Sequence, residues 1–120
     1  MGLATARVLA ARGAIISLAD LNEVAVKEAA LSLPGSDQHM YTFVDVRKSS
    51  TVDAWIESTV KQLGKLDGAV NMAGVISPAT PIVDMTDEKW DFEFSVNARG
   101  VFCCMRAELR AMRAGGSIVR

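Results

Sequence analysis

The chain predicts an α/β fold around a parallel sheet, and three observations predict it. The apolar runs Ala14 to Ala19, Met40 to Val44 and Leu66 to Val70 are each the length of a buried strand. Each is followed or closed by a polar residue: Asp20, Asp45 and Asn71 respectively. Helix-like segments lie between them, so the order reads helix, strand, helix, strand, helix, strand, helix, strand. Such alternation argues for right-handed βαβ units and a parallel sheet.

Each element has a local cause. Gly2 to Arg12 is Ala-rich, lacks β-branched runs and meets Gly13 at a C-cap position, which predicts a helix. Ala14 to Ala19 follows as strand. Asn22 to Leu33 returns to helix, with Val26, Ala29, Ala30 and Leu33 on one face and Pro34-Gly35 as its stop. Met40 to Val44 is the next strand. Ser50 is placed to cap a helix whose stripe is Val52, Trp55, Ile56, Val60 and Leu63, ended by Gly64. Leu66 to Val70 is the third strand. Pro78 and Pro81 mark a loop, and Thr86 opens a helical region to about Ala114, bent near Asn97 and Gly100. Gly115-Gly116 turns the chain into Ser117 to Arg120, the start of a further strand. No internal repeat, low-complexity segment or domain boundary is visible, so residues 1–120 read as one domain.

Composition narrows the function. Half of the 120 residues are hydrophobic, which argues against disorder, and the chain is long enough to bury a core. Thirteen Lys plus Arg against fourteen Asp plus Glu leave a net charge of -1, with no block of like charge. That gives no footprint for nucleic acid or an anionic membrane surface. No apolar stretch approaches the ~20 residues of a membrane span. The N-terminus lacks a signal-peptide layout, because Arg7 and Arg12 interrupt its apolar part. Cys103 and Cys104 are adjacent, which suits two small apolar residues in a reducing compartment better than a disulfide. The expectation is a cytoplasmic protein. His39 sits in a polar loop with no Cys or His at metal-ligand spacing and reads as a surface residue, so no metal is expected. Trp55 reads as core, and Trp90, Phe92, Phe94 and Phe102 as packing groups, some of them candidates for a dimer face. A P-loop, a zinc signature and a nucleophile elbow are all absent.

Asn71-Met72-Ala73-Gly74 after its strand, Asp45-Val46 after another, and Asn97-Ala98-Arg99-Gly100 in a long helix carry a resemblance. Together the chain resembles the front part of a short-chain dehydrogenase/reductase, with Met72 where the family has a second Asn. The resemblance implies a Rossmann-like, doubly wound parallel sheet, truncated by loss of the first strand and the C-terminal part. Parallel α/β sheets bind ligands beyond the carboxyl ends of their strands, which is where these residues fall.

Roles follow residue by residue. Gly2 resembles the last glycine of the loop that admits the cofactor pyrophosphate to a helix N-terminus. Asp20 sits about twenty residues beyond that loop, where an acid accepts from the adenosine ribose hydroxyls and repels a 2′-phosphate, favouring NAD over NADP. The carboxylate of Asp45 is implied to face the adenine amino group, with Val46 packed nearby. Asn71 is implied to brace the central sheet, while Ala73 and Gly74 leave room for the adenosine. Asn97 is implied to interrupt its helix and to help hold a water in a proton relay.

The implied activity is an NAD(P)-dependent oxidoreduction between a secondary alcohol and a ketone. Family catalysis also uses a Ser and a Tyr-x-x-x-Lys pair, in which Lys lowers the Tyr pKa. The one tyrosine, Tyr41, is followed four positions on by Asp45, so of the catalytic set only Asn97 is available. An alternative expectation is a non-catalytic remnant that binds nucleotide weakly or packs against a full-length relative. Family members often pair through the long helix, here Asn97 to Ala114, so a homo-oligomer is a further expectation. The absent first strand is the central one in the family, between the strands ending at Asp20 and Asn71. Its loss predicts two unpaired apolar edges and a poorly soluble or partly unfolded isolated chain.

Overall fold

The computed structural model describes residues 1–120. In chain order the elements are helix α1 (Gly2–Ala11), strand β1 (Ser17–Asp20), α2 (Glu23–Leu31), β2 (Met40–Phe43), α3 (Ser49–Leu63), β3 (Gly68–Val70), α4 (Asp87–Phe94), α5 (Val101–Ala111) and β4 (Ser117–Val119). Short 3₁₀ turns occupy Ser36–Gln38 and Ile82–Asp84, and a π-helical segment, Ser95–Gly100, joins α4 to α5.

Strand pairing is parallel throughout, as the alternation predicts. β1 lies beside β2 with Ser17 opposite Met40 and Asp20 opposite Phe43. β3 lies beside β4 with Gly68 opposite Ser117 and Val70 opposite Val119. The two pairs do not join: β1 and β3 each keep one free edge. These are the two edges that the resemblance assigns to the absent central strand. The consequence is an opened-out body. Its radius of gyration is 15.4 Å, against about 13.6 Å for a compact chain of this length.

Helices cover both faces of the β1–β2 pair. Ile16, just before β1, and Leu18 on it pack against the cluster of Ala6 and Ala10 of α1 and Leu33 after α2. The alternate residues turn the other way: Ala19 packs on a cluster of Val44, Val52, Ile56, Cys103, Cys104 and Ala107. Ser17 on that same face accepts from the indole N–H of Trp55 at 2.9 Å and pairs with Thr59 at 2.8 Å. Trp55 therefore packs against the core, as its stripe predicts.

Several element ends differ from the sequence reading. Ser50 does not cap α3; the cap position is Lys48, which gives no side-chain bond. The turn is organised by Thr51, whose hydroxyl donates to the carbonyls of Asp45 and Lys48 at 2.8 and 2.9 Å. The last helix stops at Ala111 rather than near Ala114, because Met112 takes an extended conformation. Thr86 does cap its helix, accepting from the amide of Lys89. Gly64 closes α3 at φ 80, a conformation that favours glycine. His39 is half-buried rather than a surface group. Its Nδ1 accepts from the amide of Ile16 at 3.1 Å, and its Nε2–H donates to the carbonyl of Pro34 at 2.8 Å. That neutral tautomer straps the start of β1 to the turn before β2.

Candidate functional site

The site is built from the carboxyl ends of the parallel strands. Asp20 ends β1 and is exposed; its Oδ1 accepts from the amide of Asn22 at 2.9 Å, and Asn22 caps α2 by accepting from Ala25. One carboxylate thus shapes the strand-to-helix turn and keeps Oδ2 without a partner in the chain. The carbonyl of Asp20 accepts from the amide of Val44, so Asp45 follows on the same edge.

Asp45 is buried and fully organised. Oδ1 accepts from the backbone N–H of Arg47 at 3.1 Å and from its Nε at 2.8 Å, while Oδ2 accepts from the terminal guanidinium nitrogen at 2.8 Å. This two-pronged pairing holds the Asp45 carboxyl below the usual range, against the opposing pull of burial. The same guanidinium lies 5.9 Å from the ring centroid of Phe92 on α4. Val46 turns toward the start of α5, where a β-carbon on Gly100 would fall 2.8 Å from its Cγ2. The glycine of the Asn-x-x-Gly pattern thus allows the Asp45 loop to touch α5.

Asn71 follows β3. Its amide donates to the carbonyl of Val119 at 2.8 Å, extending the β3–β4 pairing by one residue. Its side chain does not face the rim. Nδ2 donates to Oε2 of Glu108 on α5 at 2.9 Å. Glu108 is 1% exposed, and burial raises its pKa, with the Asn71 bond pulling the other way. Nearby Cys104, also buried, is pushed up to about 12, first by burial and then by Glu108 and Cys103. A thiol held there is not a nucleophile.

Asn97 lies in the π-helical segment, where widened helical bonding is common at functional positions. Its amide grips the backbone of one residue twice: Oδ1 accepts from the N–H of Val75 at 2.9 Å and Nδ2 donates to its carbonyl at 2.8 Å. That clamp holds the segment after β3 and leaves one lone pair of Oδ1 and one N–H of Nδ2 without a partner in the chain. Ala73 and Gly74 are exposed between the two anchors, and a β-carbon at Gly74 would come within 3.4 Å of Asn97 Oδ1. Gly2 opens α1 beside this segment, its β-carbon position 3.6 Å from Cβ of Met72. The structure therefore gathers Gly2, Asp45, Val46, Ala73, Gly74 and Asn97 along one connected rim, with Asp20 at the neighbouring strand end and Asn71 turned underneath. Glu108 and Arg47 escaped the sequence reading. Glu108 carried a signal: it falls on the apolar stripe Cys104, Ala107, Glu108, Ala111.

Comparison with known proteins identifies the family. The family model described as enoyl-(acyl carrier protein) reductase matches residues 1–120. The chain is 44% identical over 124 aligned positions to the short-chain dehydrogenase/reductase ABA4 of Pyricularia oryzae, covering 99% of this chain and 46% of that protein. It is 38% identical over 122 positions to the 2,3-dihydro-2,3-dihydroxybenzoate dehydrogenase of Bacillus subtilis, again covering 99% and 46%. A crystal structure of a short-chain dehydrogenase/reductase from Brucella melitensis superposes with a TM-score of 0.87 at 27% identity, covering 98% of this chain and 51% of the other. The chain belongs to the short-chain dehydrogenase/reductase family, and it spans about half the length of the relatives it matches. No helix is long and apolar enough to cross a membrane.

Proposed function

We propose that this chain forms the adenosine-binding half of an NAD-dependent oxidoreductase that interconverts a secondary alcohol and a ketone. One observation carries the cofactor reading: Asp20 stands exposed at the end of β1 with one carboxylate oxygen unpaired. A free carboxylate oxygen there accepts from ribose hydroxyls and repels a 2′-phosphate. The backbone at Ala73 and Gly74 leaves space for the adenosine, and the N-terminus of α1 offers N–H groups to the pyrophosphate. Asp45 retains acceptor capacity on Oδ2 for an adenine amino group, since Arg47 takes one of its lone pairs. When bound, the nicotinamide supplies hydride transfer. Within this chain, Asn97 fixes the segment after β3 on which the cofactor would rest.

Fluorescence titration with NADH and NADPH tests the reading. NADH binds more tightly, and Asp20→Ala narrows the gap between the two. An unchanged preference removes Asp20 from the ribose site.

Pairing of two copies through α5 is a further proposal, supported by Phe102 and Leu109, which are 57% and 63% exposed there.

A further inference from the structure

A buried carboxyl on α5 has no place in the cofactor reading above. Glu108 is 1% exposed on a helix face otherwise made of Cys103, Cys104 and Ala107. An acid in such surroundings costs stability unless a partner compensates it. Its partner is the side chain of Asn71, thirty-seven residues away in sequence.

The same helical stretch holds the other end of the segment that begins at Asn71. Asn97 grips both backbone polar groups of Val75. Asn97 and Glu108 lie eleven residues apart in sequence, about 16 Å along a helix. Asn71 to Val75 covers four residue steps, roughly 14 Å when extended. The two lengths match, and the segment runs opposite to the helix, first residue to Glu108 and last to Asn97. A third bond, from the Asn71 amide to the carbonyl of Val119, ties the near end to β4.

We infer that Glu108 is a positioning residue: with Asn97 it holds Asn71 to Val75 as a strap across α5, setting the height of the Ala73–Gly74 backbone at the nucleotide rim. An aliphatic residue at 108 would fill the space and leave Asn71 Nδ2 without its acceptor. The strap would then be anchored at one end only. Because glutamine also offers an acceptor oxygen at the same reach, the role requires the oxygen and not a negative charge.

The experiment compares the native chain with Glu108→Leu, Glu108→Gln and Asn71→Ala at low micromolar concentration. Hydrogen exchange read by mass spectrometry reports on Asn71 to Val75, and NADH titration reports on the rim. Glu108→Leu and Asn71→Ala each accelerate exchange of the Asn71 and Val75 amides about tenfold and weaken NADH binding by a similar factor, while exchange in α2 and β2 is unchanged. Glu108→Gln behaves as the native chain. Native exchange in Glu108→Leu or in Asn71→Ala overturns the strap, as does a Gln variant as loose as the Leu variant. If Glu108→Leu fails to fold, Asn71→Ala decides alone, since it leaves the α5 carboxyl in place. The binding arm rests on the nucleotide reading; if the native chain binds no NADH, that reading has failed and the exchange result alone decides the strap.

Discussion

Replacing Gly100 by alanine sets two opposing effects against one another at a single site. Gly100 has helical dihedrals, φ -59 and ψ -47, so alanine there recovers up to about 1 kcal/mol of helix propensity. The added methyl meets Val46, with Cγ2 at 2.8 Å and Cβ at 3.2 Å. Ordinary carbon contacts lie near 3.5–4.0 Å, so the Asp45 loop and α5 must separate by roughly 0.7 Å or more. Valine is β-branched and stiff at χ1, so it cannot swing aside cheaply. Overpacking of this kind costs about 1–3 kcal/mol, and it wins: Gly100→Ala destabilises by roughly 0–2 kcal/mol net. In a Val46→Ala background the 2.8 Å contact is gone and only the Cβ at 3.2 Å remains, so the same substitution costs less. Urea unfolding followed by far-UV circular dichroism across the four-member cycle measures this reduction. A Gly100→Ala chain more stable than the native one refutes the argument, as does an equal cost in both backgrounds.

Three other outcomes follow from the same geometry. Burial raises the Glu108 pKa, so the folded state binds that proton more tightly than the unfolded state does. Stability therefore falls as pH rises from the ordinary glutamate value toward the raised one, and Glu108→Gln flattens that fall in urea midpoints taken between about pH 4 and 8; a parallel profile would show that the carboxyl is not strained. His39→Ala removes the acceptor of the Ile16 amide and the donor to Pro34, at a cost of about 1–3 kcal/mol, read as a lowered thermal midpoint; an unchanged midpoint would mean that water replaces the ring. The free edges of β1 and β3 predict concentration-dependent association, seen by light scattering. A monodisperse monomer with a sharp thermal transition would contradict it.

The order of elements and the residues that close each strand were legible because their signals are local. A run of Ile, Ser, Leu and Ala before Asp20, a glycine at φ 80 after α3, and Thr86 ahead of Lys89 each act within one or two turns of chain. Asp20, Asp45 and Asn71 fell at strand ends because strand and helix lengths are set by the same short-range patterns. What each side chain touches was decided elsewhere. Asn71 turned to Glu108 across thirty-seven residues, and Asn97 to Val75 across twenty-two. Arg47 took the Asp45 carboxylate, and His39 took two backbone groups. These are choices of partner among groups brought close only once the sheet and helices pack, and a buried polar atom must accept the neighbour that packing supplies.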